Sequence, residues 1–161
     1  MKDGVYCMDI AITQIKSPEE KRRIARAVLE ALTEWFEVPE SREEYIETSG
    51  ERIMVACLID GQPAGFLCLK ETGRDTMELA VMGVRKEYHH SGIGTRLFER
   101  AKAIATEMGY SFMQVKTVQM GRYPEYDITN LFYQSLGFKE LEVFPLLWDE
   151  NNPCQIYIMA L

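Results

Sequence analysis

The stretch Val84-Arg85-Lys86-Glu87-Tyr88-His89-His90-Ser91-Gly92-Ile93-Gly94-Thr95-Arg96-Leu97 concentrates side chains and spacings that can do chemistry. An apolar run ends at Val84, a polar turn follows, and Gly92 and Gly94 open a segment of helical periodicity. Such a turn gathers backbone N–H groups at the positive end of a helix dipole, which suits the oxygens of a phosphate. One dipole contact at an exposed site is worth about 0.3–1 kcal/mol, so several must converge. Glycine at 92 and 94 lets a ligand approach the main chain with no Cβ in the way. Residues 85–102 set Arg85, Lys86, Arg96, Arg100 and Lys102 against Glu87 and Glu99, a local charge of +3. The plainer reading is a tight strand-to-helix turn with solvated charges, because Gly-x-Gly alone is weakly specific.

A second charged region has the opposite sign. Residues 34–51 carry Glu34, Glu37, Glu40, Glu43, Glu44, Glu47 and Glu51 against Arg42, a local −6, with Trp35, Phe36 and Tyr45 interleaved. Acid and aromatic side chains together suit a cationic amine through attraction and cation–π contact. A solvated helix face is the plainer reading for most of these glutamates. Adjacent His89 and His90 diverge and lack a carboxylate–histidine spacing, so no metal site is expected. Cys7, Cys57, Cys68 and Cys154 form no Cys-x-x-Cys pair and read as reduced thiols of a cytoplasmic protein.

The whole chain bounds these readings. Its 161 residues make one domain, 1–161, and 47% hydrophobic composition is that of a globular protein. Eighteen basic against twenty-five acidic residues leave a net −7, which argues against a general nucleic-acid binder. No apolar run is long enough to span a membrane, and MKDGVYCMDI has an early Asp and no apolar segment of a secretory signal.

The elements that must position these residues follow from periodicity and turn chemistry. Residues 8–15 read as a strand. Ser17-Pro18-Glu19-Glu20 starts a helix whose buried face is Ile24, Val28, Ala31 or Leu32, and Trp35. Pro39 is expected to end that region, and Ser41 to cap a short helix over 42–48. Strands 52–59 and 63–70 flank Asp60-Gly61, a hairpin signal. A strand over 77–84, a helix over 92–108 stopped by Gly109, and a strand over 110–117 follow. A helix over 127–136 and strands over 138–143 and 155–161 complete an α/β (α+β) sandwich around a mixed sheet.

The strand ELAVMGV and the turn YHHSGIGTRL resemble the acetyl-CoA-binding motif of GNAT-type N-acetyltransferases. Gly92, Ile93 and Gly94 match its glycine pattern, while His89 stands where Gln or Arg is usual. Downstream, Tyr133-Gln134-Ser135-Leu136-Gly137-Phe138 resembles the end of that family's fourth helix. Tyr126 and Thr129 depart from the Asn and Ala expected at its start. The tail from Leu141 through Cys154 resembles a bacterial branch of the family. The element order is also the family's, so the resemblance implies the GNAT fold, a central mixed sheet flanked by about four helices.

The resemblance further implies direct acetyl transfer from acetyl-CoA to a primary amine in a ternary complex. Met82, Gly83, Val84, His89, His90, Ser91, Gly92, Ile93, Gly94 and Thr95 would hold the co-substrate, with Val84 offering a main-chain N–H to the oxyanion. Tyr133 would serve the leaving thiolate, and Glu78 would accept the amine proton. Period-two alternation puts Glu78 on the face of Met82 and Val84 unless a bulge intervenes. The loop over 120–127, with Arg122, Tyr123 and Tyr126, is a candidate cover for the acceptor, or an ordinary surface loop. The expected partner is a small-molecule or peptide amine, with no nucleic acid or membrane and a homodimer as an admissible assembly. A non-catalytic acyl-CoA sensor is the alternative, suggested by His89 and Tyr126; O-acetylation of a sugar or alcohol would need a stronger base.

Overall fold

A proline in the first turn of a helix gives up an N–H that would have no partner there anyway, and its ring presets the helical φ. Three helices of this protein begin that way in the computed structural model, which describes residues 7–161. The expectation that no secretory signal precedes the domain falls largely on residues 1–6, outside the described residues. In α1 (Pro18–Leu29), the Ser17 side chain accepts from the Glu20 N–H at 3.3 Å, and Ile24, Ala25, Val28 and Leu29 are buried. This helix stops at Leu29, so Trp35 is not on its face as periodicity suggested. Leu32 stays buried because the N–H groups of Ala31 and Leu32 reach back to Val28 and Leu29, both at 3.1 Å.

Helix α2 (Pro39–Ser49) starts at the proline expected to terminate its predecessor, and Ser41 lies inside it rather than capping it. Strand β1 (Ile10–Ile15) precedes α1, and β2 (Ile53–Ile59) and β3 (Gln62–Gly73) follow α2. Between β2 and β3, Asp60 and Gly61 take φ of 50° and 79°, the left-handed pair of a tight hairpin. Then come β4 (Thr76–Val84), α3 (Ile93–Glu107) and β5 (Phe112–Val118). Helix α4 (Pro124–Ser135) begins at Pro124, three residues before the expected start, and β6 (Lys139–Asp149) and β7 (Asn152–Ala160) close the chain. Strand β6 runs past its expected end at Val143, although its pairing with β7 lapses between Phe144 and Asp149.

The sheet order is β1-β2-β3-β4-β5-β7-β6. Among the described residues only β4 and β5 pair in parallel, because α3 carries the chain back across the sheet between them. One face packs on α3 and α4 through Leu67, Leu69, Leu97, Phe98, Val115, Phe138 and Tyr157. The other packs on α1 and α2 through Ile24, Val28, Ile46, Met54, Phe66 and Cys68. All four cysteines are free thiols, three of them buried. Among the described residues no helix is long and apolar enough to cross a membrane.

Two irregularities at the centre of the sheet prepare the site. Cys68 pairs with Val81 while Leu69 pairs with Leu79, which leaves Ala80 as an extra residue on β4. This bulge exchanges the two faces, so Leu79 packs with the α3 side while Val81 packs with the α1 side. Beyond the bulge β4 and β5 part, since their register runs from Thr76–Phe112 to Leu79–Val115 and stops.

Candidate active site

Where β4 leaves β5, one edge of its main chain loses its partner. The Arg85 N–H donates to Ala64 O on the β3 side at 2.8 Å, so by alternation Val84 and Met82 turn their N–H groups toward the split. The split opens into a cleft of about 1310 Å³, larger than the roughly 300–1,000 Å³ usual for one ligand, with room for two substrates.

At the head of the split the chain makes a 3-10 turn over Lys86–Tyr88 and enters α3 through Gly92. His90 and Gly92 take φ of 61° and 82°, and no side chain caps α3. The left-handed residues therefore aim successive main-chain N–H groups at the cleft as a nest that suits phosphate. A Cβ on Gly92 would meet nothing within 4 Å, so the approach to its main chain is open. At Gly94 a Cβ would lie 3.1 Å from Phe132 Cζ and 3.2 Å from Met82 Cε, so this glycine serves packing between α3, α4 and β4.

Of the ten residues expected to hold the co-substrate, nine line the cleft: Met82, Gly83, Val84, His89, His90, Gly92, Ile93, Gly94 and Thr95. Ser91 instead turns its hydroxyl to the carbonyl of Tyr88. The His89 Nε2 lies 2.6 Å from Val84 O, and its ring meets Trp35 edge-on with centroids 5.9 Å apart. Thus His89 braces the turn from within, where a longer Gln or Arg is usual.

Tyr133 is 8% exposed, packed against Phe132, Phe138 and Tyr157, and it lines the cleft. Among the described residues none hydrogen-bonds its hydroxyl. Burial, reinforced by the nearby phenols of Tyr126 and Tyr45, pushes its ionisation well above the ordinary tyrosine range. One turn earlier, Asn130 is fully buried and was missed by sequence reasoning. Its amide donates to Val118 O at 2.8 Å and Tyr126 O at 2.7 Å, and its Oδ1 accepts from the Tyr157 hydroxyl at 2.7 Å. The signal was available, since Tyr126, Asn130 and Tyr133 are spaced four and three apart along one helix face.

The bulge at Ala80 puts Glu78 on the α1–α2 face with Val81, opposite Met82 and Val84. Its side chain is 9% exposed, and its Oε1 lies 3.2 Å from Lys116 Nζ. Lys116, not Glu78, lines the cleft. The acidic segment divides. Glu43 and Glu47 pair with Arg26 and Arg22 of α1, and Glu34 pairs with Lys86 of the glycine turn. Glu37 and Glu44 line the cleft together with Glu125. From the loop ahead of α4, Tyr123 and Tyr126 line the cleft and Arg122 does not. The segment between α1 and α2 also roofs the site, because Trp35 Nε1 donates to Glu125 O at 3.3 Å and the Tyr126 hydroxyl donates to Trp35 O at 3.0 Å. Leu147 and Trp148 of β6 complete the opposite wall, which nothing in their sequence pattern announced.

Residues 21–138 match the model of the acetyltransferase (GNAT) family, a stretch that runs from within α1 to just past the end of α4. The chain belongs to the GNAT acetyltransferase family. No curated protein sequence matches it significantly. Among solved structures, a GNAT-family protein from Desulfovibrio desulfuricans aligns with a TM-score of 0.83 at 20% identity, over 94% of this chain and 99% of that one. A PaiA N-acetyltransferase from Thermoplasma acidophilum in complex with coenzyme A gives 0.70 at 19% identity, over 94% and 99%. An aminoglycoside 6'-N-acetyltransferase complexed with coenzyme A gives 0.70 at 22% identity, over 95% and 97%. The GNAT fold of this chain is therefore the seven-stranded mixed sheet with four helices described above.

Proposed function

We propose that this GNAT acetyltransferase moves the acetyl group of acetyl-CoA directly to a primary, cationic amine while both substrates occupy the cleft. The observation that carries the reading is the β4–β5 split, which runs from the glycine turn to the hydroxyl of Tyr133 within one cavity. The turn fits the co-substrate's pyrophosphate, because the left-handed His90 and Gly92 present uncapped N–H groups and open space at one point. Acetyl-CoA supplies an activated thioester carbonyl. Met82 and Val84 offer main-chain N–H groups along the split, with the Val84 N–H as donor to the oxygen that gains charge.

An alkylamine with a pKa near 10.4 costs about 4.6 kcal/mol to deprotonate at pH 7, so a proton acceptor is needed. Glu78 takes this role at a distance, through a chain of waters running along the cleft from the amine to the face where Val81 also lies. Tyr133 donates a hydrogen bond to the departing sulfur. Because burial raises its ionisation, full proton transfer to a thiolate with pKa near 8.5 runs uphill, and the hydrogen bond is its contribution. Among the described residues no cysteine lines the cleft, which supports direct transfer over an acetyl-enzyme. Glu37 and Glu125 with Trp35 and Tyr126 form the mouth through which a cationic amine enters.

The test pairs binding with turnover. Saturating acetyl-CoA should raise the melting temperature, and thiol release should appear with some members of a panel of amines, amino acids, aminoglycosides and peptides. Absence of stabilisation would refute the co-substrate assignment. Stabilisation with silence on every acceptor would favour the acyl-CoA sensor.

A further inference from the structure

On the face of α2, two cations enter the cleft, one of which touches the transfer chemistry through Glu78. Lys116 comes from β5, and Arg52 stands immediately before β2. Register sets them on one face at the same end of the sheet, with β3 and β4 between their strands. Ile53 pairs with Leu69, which sets Arg52 abreast of Lys70, and Lys70 pairs with Glu78, the carboxylate that Lys116 reaches. Arg52, Lys70 and Lys116 therefore share the face of Glu78 at this end of the sheet, with Lys116 in ion-pair contact with it. Among the described residues no carboxylate lies within ion-pair reach of Arg52.

Arg52 is also held in place. Its N–H donates to Ser49 O at 3.2 Å, and its carbonyl accepts from Lys21 Nζ at 2.6 Å. Tyr45 lines the same cleft, and burial, with the charge of Glu78 adding to it, raises its phenol above the ordinary tyrosine range. Glu44, on the same wall one turn before Thr48, is exposed and pairs with neither cation.

Partly buried charges seek opposite partners, and a guanidinium fork matches a carboxylate in two hydrogen bonds. We propose that Arg52 and Lys116 form a receptor for a carboxylate on the acceptor, so that the acceptor is an amino carboxylate, an amino acid or short peptide in class. This rests on the acetyl-transfer reading above. The amine must reach the level of Met82, four residues along β4 from Glu78, or about 13 Å of extended strand before the bulge and the lysine's own length shorten it. The two groups of the acceptor are therefore several bonds apart.

Unbranched ω-amino acids of increasing length and their carboxamides test this, since the distant amine ionises alike within each pair. With acetyl-CoA saturating, the acid should exceed its amide at least tenfold in kcat/KM at an optimal length, chiefly through KM. The preference should shrink with added salt, collapse in Arg52→Met, return in part in Arg52→Lys, and persist in Lys16→Ala, an exposed position in the link between β1 and α1. Calorimetry of the same pairs on the CoA-saturated protein reads the receptor without turnover. Binding that depends on both the carboxylate and Arg52, with no acetylation, supports the receptor while refuting the transferase reading. Equal kcat/KM or equal binding of acid and amide at every length, or a preference that survives Arg52→Met, overturns the receptor even where amines are acetylated.

Discussion

Tyr133 shows how one position serves two masters. Its ring belongs to the aromatic cluster with Phe138 and Tyr157, while its hydroxyl opens on the cleft without a partner among the described residues. Removing only that oxygen should spare the fold. Tyr133→Phe is expected to lower kcat by about ten- to a hundredfold, matching the roughly 1.5–3 kcal/mol of a hydrogen bond to a charged atom. Acetyl-CoA affinity, measured by calorimetry, should stay within about twofold. Gly92 makes the opposite case, because its φ of 82° excludes ordinary side chains and its open face is where an anion would sit. Gly92→Val should therefore weaken acetyl-CoA binding at least tenfold, with the loss of ligand-induced thermal stabilisation as the readout; normal affinity would contradict the phosphate nest. At Gly94 the space belongs to Phe132 and Met82, a distinction that the Gly-x-Gly pattern by itself could not draw.

At the scale of elements, α4 is tied down by one buried amide. Asn130 joins α4 to β5 through Val118 O and to β7 through the Tyr157 hydroxyl. Asn130→Ala would leave two carbonyls and a phenol without that partner, at a cost of about 2–4 kcal/mol. Urea denaturation should report it as a lower midpoint with an unchanged slope. The start of α1 was legible in the Ser17 cap, whereas Ser41, which reads as a cap by type, lies inside α2. Pro39 and Pro124 were read less well, because a proline both ends a preceding run and begins a new one, and tertiary packing chooses between them. Trp35 fitted the periodic face of α1 by spacing but is held outside the helix by its bonds to α4 and its contact with His89.

For the whole molecule, the net −7 is a sum over unlike parts that partly neutralise one another. Lys86 of the basic turn grips Glu34 of the acidic segment, and the arginines of α1 absorb Glu43 and Glu47. These pairs are exposed, so each contributes little to stability. Alkaline stability is governed elsewhere. Burial pushes the Cys68 thiol from 9.0 up to about 12, and that of Cys154 up to about 11. Folding thus favours their protonated forms; that stability is whole below pH 9.0 and drains as pH rises through the folded values. Thermal melts should fall between pH 9 and pH 11 beyond the drift at neutral pH, and Cys68→Ala should flatten the fall.

From the sequence alone came the element order, the Asp60-Gly61 hairpin, the glycine turn and Tyr133, because each is a local pattern of spacing, turn chemistry or motif. The side on which Glu78 faces depended on one extra residue, Ala80, whose bulge exists only in the register between β3 and β4. Likewise, the places of Asn130 and Trp148 and the presence of Arg52 and Lys116 in one cleft are relations between residues distant along the chain. Such relations are set by how the two layers pack on a sheet whose middle strands part, and no local pattern encodes them.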